Sequence, residues 1–110
     1  MAHNLGPETC GKPEDVMTTP YSVTYVTIDD ADKAEALARL LVDKKLAACV
    51  NIIPKISSIY RWEGQVTKDE ELLMMIKSRQ TRLEELTETI KANHPYKVCE
   101  VISLPVRMTL

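Results

Sequence analysis

Residues 46–62 read LAACVNIIPKISSIYRW, and they are followed by Glu63-Gly64 and by a second apolar run that ends in ELLMMIKS at residues 71–78. Two runs of this kind on either side of a short Gly-containing turn are typical of a β-hairpin. Residues 70–76 also contain good helix formers, but the turn and the facing strand favour the hairpin. Strands this long would extend beyond the core of a small protein, so we expect a partner chain to cover them.

One residue inside the first run restricts how that strand pairs. Pro54 has no backbone N–H and cannot donate to a ladder of strand hydrogen bonds. It therefore predicts an edge strand, a bulge or a bend in the middle of the run.

The segment before the hairpin predicts one strand and one helix. Residues 23–28, VTYVTI, are β-branched and aromatic, as strand residues are. Asp29 and Asp30 follow, and their carboxylates can accept the free N–H groups of a first helical turn. Residues 31–45 repeat apolar side chains at spacings of three and four, which indicates an amphipathic helix that ends in two lysines.

The segment after the hairpin predicts a second helix and a last strand. Residues 81–84, TRLE, match a capping box at a helix start. Asn93 is a candidate left-handed stop, and Pro95 prevents the helix from continuing. Residues 98–106 then form an apolar, β-branched strand.

The complete order of elements is β-α-β-β-α-β. This order predicts an α+β, ferredoxin-like fold in which two helices cover one face of an antiparallel four-stranded sheet with a long β2–β3 hairpin. Residues 1–20 have no hydrophobic period and are expected to be a disordered tail, which leaves 21–110 as the folded domain.

Composition narrows the class of function. A chain of 110 residues, with 45% hydrophobic and 27% charged residues, is typical of one globular domain. A net charge of −2 without basic runs argues against nucleic acid as a partner. No apolar run is long enough to span a membrane and no leader pattern is present, so we expect a cytoplasmic protein. A longer precursor would allow organellar or secretory forms.

The three cysteines are Cys10, Cys49 and Cys99, and their odd number and wide spacing argue against a disulfide framework and a four-ligand zinc site. No phosphate loop, nucleophile elbow or metalloprotease motif is present either, so we do not expect an enzyme.

Charges that interrupt apolar strands are the first candidates for a functional site. Glu71 and Lys77 flank LLMMI, and Glu100 interrupts VCEVISL. A charge among residues that are otherwise buried must be paired or solvated. These side chains are either paired structural charges or charges that converge on a cleft.

Aromatic and imidazole side chains form a second group. His94 precedes Pro95-Tyr96, where it is either a helix cap or a ligand for copper or zinc. Tyr60 and Trp62 alternate onto one face of their strand, where packing or an interface is the ordinary use of such a pair.

Residues 46–64, 71–78 and 94–106, the last reading HPYKVCEVISLPV, resemble the CutA divalent-cation-tolerance family. The resemblance implies a homotrimer of ferredoxin-like subunits whose β2–β3 hairpins cross between chains. It also implies a link with tolerance of copper and other divalent cations, and an architecture similar to that of PII signalling proteins. Animal members have been linked with acetylcholinesterase processing or anchoring.

The resemblance also implies site residues. The metal ligands would be Cys49 and His94, and the crevice between subunits would be lined by Tyr60, Trp62, Glu71, Lys77, Tyr96 and Glu100. Copper or another divalent cation is the expected ligand, and no organic cofactor is expected. The alternative is a PII-like sensor, with Lys77 receiving a small anion, or a scaffold that anchors a protein partner.

The chain departs from the family pattern at Lys97, where Glu or Gln is common, and at Cys99, where Pro or Ala is common. Family members also continue past the last strand, so we expect residues 21–110 to be a domain without the usual C-terminal segment.

Overall fold

A four-stranded antiparallel sheet and two helices make up the fold of the chain, for which a computed structural model describes residues 19–109. The sheet order is β2-β3-β1-β4. In chain order the elements are β1 (Tyr21–Ile28), α1 (Ala31–Asp43), β2 (Cys49–Trp62), β3 (Gln65–Arg79), a 3₁₀ turn (Gln80–Arg82), α2 (Leu83–Asn93) and β4 (Val101–Pro105). The predicted ferredoxin-like β-α-β-β-α-β fold is confirmed.

The core lies between the sheet and the helices. Alternate residues of β1 and β3, including Ile28 and Met74, are fully buried against apolar side chains of the helices such as Leu41 and Ile90. Burying a side chain of this size stabilises the fold by about 1.5–3 kcal/mol. The period of two in the strands and the period of 3.6 in the helices together produce this single core.

The opposite side of the sheet carries apolar side chains that no helix of the described chain covers. We call this the helix-free face; its apolar residues in β1, β3 and β4 are Val23, Tyr25, Leu73, Met75, Ile102 and Leu104. They alternate with the buried residues of the same strands, and the two β4 members are about half exposed. An apolar surface of this kind favours association with another chain.

The β2–β3 hairpin extends beyond the rest of the sheet, as predicted. The pairing of β1 with β3 ends at Ile28 and Leu72, so β3 before Leu72 pairs only with β2. The register of β2 shifts between Ile53 and Ile56, which places a bulge at Pro54. The bulge on an edge strand confirms the expectation for this proline, because the ladder loses nothing at a residue without an N–H.

Helix α1 ends two residues earlier than predicted. It stops at Asp43, and Lys45 adopts a left-handed conformation with a φ of 60°. The Leu46 N–H donates to the carbonyl of Leu41 at 2.9 Å, which turns the chain into β2. Helix stops of this kind are usually recognised by a glycine or an asparagine at the left-handed position. The sequence has a lysine there, so it gave no signal for the end of the helix.

Helix α2 ends at Asn93, before Pro95, as predicted, but neither predicted cap forms. The Thr81 capping box does not form: Arg82 is the cap residue, and no side chain bonds to the free N–H groups there. Asn93 is not left-handed, and its side-chain amide donates to the Thr89 carbonyl at 2.8 Å. The last strand begins at Val101 rather than 98, because the preceding loop is held against the end of β1.

The predicted tail largely lies outside the described residues. Thr19, at its end, is anchored: its hydroxyl donates to the Val106 carbonyl at 2.6 Å. The tail prediction therefore stays a prediction for residues 1–18.

The hairpin turn makes a prediction about stability. Glu63 and Gly64 have φ values of 50° and 79°, which is the left-handed pair of a type I′ turn. A Gly64→Ala variant should lose about 1 kcal/mol of unfolding free energy, because a Cβ is disfavoured in that conformation. The added methyl group would meet no atom within 4 Å, so the loss is conformational. Urea unfolding at fixed protein concentration measures it.

The matched control is Glu63→Asn, which places the favoured Asn-Gly pair in the same turn. We expect this variant to be at least as stable as the unaltered chain. Equal stability of Gly64→Ala and the unaltered chain would contradict the type I′ assignment.

Candidate functional site

A cleft of about 910 Å³ lies beside the overhanging part of the hairpin, at the C-terminal end of β1. We call it the acidic cleft. Its ionisable side chains are five carboxylates and two phenols, and its lining within residues 19–109 includes no Lys, Arg or His. The carboxylates belong to Asp29, Asp69, Glu70, Glu71 and Glu100, and the aromatic rings to Tyr60, Trp62 and Tyr96.

Glu71 forms the most buried part of the cleft wall. Glu71 is only 8% exposed, and it lies in β3 just beyond the last residue that pairs with β1. The Tyr96 hydroxyl donates to Glu71 Oε2. Burial, followed by this hydrogen bond to a carboxylate, raises the pKa of Tyr96 well above its usual value. Tyr96 is therefore a neutral phenol at physiological pH and a hydrogen-bond donor.

A second phenol–carboxylate pair spans the hairpin. Tyr60 in β2 lies opposite Thr67, and its hydroxyl donates to Asp69 Oδ2, two residues further along β3 on the same face. This hydrogen bond raises the pKa of Tyr60, so this phenol also remains protonated at neutral pH. The two pairs hold Asp69 and Glu71 in defined orientations on one wall.

His94 holds the loop that carries Tyr96. Its Nε2 donates to the Thr27 carbonyl at 2.7 Å, and its Nδ1 accepts from the Tyr96 N–H at 3.0 Å. The ring is buried and contacts Tyr96 edge-on, with centroids 4.6 Å apart. A ring nitrogen that accepts and one that donates require the neutral imidazole. Both nitrogens are therefore engaged within the chain.

Five of the sequence-predicted site residues meet at the acidic cleft, namely Tyr60, Trp62, Glu71, Tyr96 and Glu100. Lys77 and Cys49 do not: they face each other across β2 and β3, six residues along β3 from Glu71. Six strand residues span about 20 Å. Cys49 is exposed, with its Sγ 3.9 Å from Asn51 Oδ1.

The predicted metal ligands are not brought together within one chain. Cys49 lies opposite Lys77, whereas His94 binds Thr27, which pairs with Leu73. Across residues 19–109, no three His, Cys, Asp or Glu side chains come close enough to hold a metal ion. Ligation by Cys49 and His94 stays a prediction.

Sequence reasoning missed Asp29, Asp69 and Glu70 as members of the cleft. The sequence did contain a signal for Asp69. It lies two residues before Glu71 on the same strand, so the two side chains share one face. Asp29 was assigned to the start of α1, but Asp30 is the cap there, accepting from the Lys33 N–H at 2.9 Å.

The model of the CutA1 divalent ion tolerance protein family matches residues 22–110. The chain belongs to this family. Among relatives, it is 53% identical to the CutA homolog of Xenopus laevis over 85 residues, 77% of this chain and 56% of the relative. It is 52% identical to the chloroplastic CutA of Arabidopsis thaliana over 93 residues, 84% of this chain and 51% of the relative.

Solved CutA structures have the same fold. CutA1 from Oryza sativa matches with a TM-score of 0.80 at 48% identity, covering 86% of each chain. The divalent cation tolerance protein from Thermus thermophilus matches with a TM-score of 0.79 at 41% identity, covering 82% of this chain and 87% of that chain.

The first relatives that match this chain are longer than it is. The chain spans about half the length of the first relatives it matches. The relatives from Arabidopsis thaliana and Oryza sativa carry the description chloroplastic. No helix within residues 19–109 has the length and apolar character needed to cross a membrane. CutA proteins are named for tolerance of divalent cations, not for an enzymatic reaction.

Proposed function

We propose that the chain is a homotrimeric divalent-cation-binding protein of ion homeostasis, with copper among its cations. The observation that carries the proposal is the acidic cleft, whose described lining includes five carboxylate residues and no Lys, Arg or His. Such a concentration of negative charge attracts cations and repels anions. The divalent cation tolerance of the named relatives is consistent with this charge.

The homotrimer is supported by apolar surface that one chain leaves open. The helix-free face carries six apolar side chains, and the overhanging hairpin adds Ile59 and Val66, which are 68% and 69% exposed. A second and third copy of the chain would cover this surface, as obligate interfaces cover apolar patches. The exposed β2 and β4 edges would find partners in the same assembly.

The cation ligands within one chain do not fit a closed metal site. The described carboxylates and the Cys49–His94 pair do not converge on one point, and both His94 nitrogens already have partners. A copper site that used Cys49 and His94 would therefore have to form between subunits, and His94 would have to release the Tyr96 N–H. Thiolate and imidazole are ligands that copper favours.

Copper titration tests this ligand assignment. In a Cys10→Ser background, Cys49→Ser should weaken Cu(II) binding at least tenfold. This change removes the exposed thiol at the start of β2, and an accessible thiolate is a strong copper ligand. Cys99→Ser is the matched control and should leave the affinity unchanged. Isothermal titration calorimetry measures both. Equal affinities in the two variants would rule out Cys49 as a ligand.

The alternative of a PII-like sensor for a small anion receives less support. Lys77, its proposed anion ligand, lies about 20 Å along β3 from Glu71, and the cleft itself is acidic. A scaffold for a protein partner would use the same exposed apolar surface as the trimer, so the oligomeric state is the first property to measure.

A further inference from the structure

We infer that Tyr96 is an autoinhibitory latch, which withholds the lone pair of His94 and the carboxylate of Glu71 from an incoming divalent cation. The inference rests on the proposed use of His94 as a cation ligand, and it names the movement that must precede that ligation. Three observations support it. The lone pair of His94 is already occupied, Tyr96 also holds Glu71, and the loop that carries Tyr96 has few other attachments.

The imidazole of His94 has no lone pair free for a cation. Its Nε2 carries the proton that is donated to the Thr27 carbonyl, so the lone pair of the neutral ring lies on Nδ1. Nδ1 accepts from the Tyr96 N–H at 3.0 Å, and His94 is only 9% exposed. Transfer of the ring proton to Nδ1 would set that proton against the Tyr96 N–H and the Nε2 lone pair against the Thr27 oxygen. A cation can therefore bind Nδ1 only after Tyr96 has moved away from it.

Tyr96 occupies a carboxylate as well as the imidazole. Its hydroxyl donates to Glu71 Oε2, and Glu71 is only 8% exposed. Its ring also lies edge-on to the His94 ring, with centroids 4.6 Å apart. The backbone N–H, the ring and the hydroxyl of one residue thus contact both groups. Displacement of the whole residue breaks both hydrogen bonds, and it frees an imidazole lone pair and a carboxylate in one movement.

The loop that carries Tyr96 is suited to such a movement. Residues 95–100 form neither helix nor strand, and Val98 is 85% exposed. Among residues 19–109, the side-chain hydrogen bonds that hold this loop are those between Tyr96 and either His94 or Glu71. Exposed segments with few contacts open at a lower free-energy cost than the core does. The loop can therefore open at Tyr96 while the sheet stays folded.

Diethyl pyrocarbonate tests the latch without any metal ion, because it acylates a free imidazole lone pair. Mass spectrometry of the digested chain after reaction follows His94, with His3 as the internal reference for reagent concentration. Tyr96→Phe keeps the aromatic ring and the backbone N–H but removes the hydroxyl. We expect it to increase the reaction rate of His94 about tenfold, because loss of a hydrogen bond to a charged group makes opening more frequent. Glu71→Gln weakens the same bond at its acceptor and should change the rate in the same direction.

Tyr60→Phe is the matched control, because it removes the other hydroxyl that donates to a carboxylate of the cleft. It should leave the reaction rate of His94 unchanged. Equal rates in Tyr96→Phe and the unaltered chain would overturn the latch. Equal increases in Tyr96→Phe and Tyr60→Phe would also overturn it, since the effect would then not be specific to Tyr96.

A copper titration separates the latch from the proposed function. In the Cys10→Ser background, Tyr96→Phe should bind Cu(II) about tenfold more tightly by isothermal titration calorimetry, because the open, binding-competent state is more populated. An affinity that is unchanged or lower would mean that Tyr96 does not restrain ligation. If neither protein binds copper and His94 still reacts faster in Tyr96→Phe, the copper function is refuted and the latch is supported.

Discussion

The proposed homotrimer predicts that a Leu73→Asp variant elutes as a monomer at a concentration at which the unaltered chain elutes as a trimer. Leu73 lies near the centre of the helix-free face, opposite Thr27 in β1 and Ile53 in β2. A carboxylate buried there without a positive partner costs about 3–5 kcal/mol. The proposed trimer would contain three such charges, and their combined cost would oppose its assembly. Light scattering coupled to size exclusion measures the mass.

Thr81→Asp is the control, because it adds the same single charge at an exposed residue of the 3₁₀ turn, away from the sheet face. It should remain trimeric. Circular dichroism must show that the Leu73→Asp monomer retains its strands, since its side chain lies outside the core between sheet and helices. A trimer that persists in Leu73→Asp would mean that the subunits meet through another surface.

A His94→Ala variant should lose about 3 kcal/mol of unfolding free energy. The imidazole joins the end of β1 to the loop after α2 through the Thr27 carbonyl and the Tyr96 N–H. Its removal leaves the Thr27 carbonyl and the Tyr96 N–H without their partner, which costs about 1–3 kcal/mol of stability for each group that stays buried. It also opens a space beside the Tyr96 ring. Chemical unfolding at fixed protein concentration measures the loss.

The neighbouring Asn93→Ala provides the comparison. Asn93 is exposed and its amide bonds to the Thr89 carbonyl within the same helix, so its removal should cost less than about 0.5 kcal/mol. Similar losses in the two variants would show that the His94 hydrogen bonds contribute no specific stability.

Local patterns in the chain were sufficient to predict the strands, the helices and their order. The hairpin of residues 46–78 follows from two β-rich runs and a turn with a glycine, and the turn angles at Glu63 and Gly64 agree with that expectation. The period of two also placed Tyr60 and Trp62 on one face of β2. These properties depend on neighbours in sequence, so a pattern over a few residues contains them.

Helix ends and the start of β4 depended on contacts that local patterns do not contain. Lys45 adopts a left-handed angle because the chain must turn from α1 into β2, although lysine has no preference for that angle. Residues 98–100 resemble a strand, but the loop that contains them follows the anchored His94 and reaches β1 only from Val101 onwards.

Local patterns in the sequence likewise predicted some residues of the acidic cleft and missed others. Charges at Glu71 and Glu100 were visible as interruptions of apolar runs, whereas their meeting with Asp29 required the end of β1, the overhanging hairpin and the loop before β4 to come together. Lys77 interrupts the same run as Glu71, yet the extended geometry of β3 places it about 20 Å from that residue. Side-chain periodicity is a local property that residue order alone reveals. Convergence of side chains from three elements is a non-local property, and only the packing of the strands and loops reveals it.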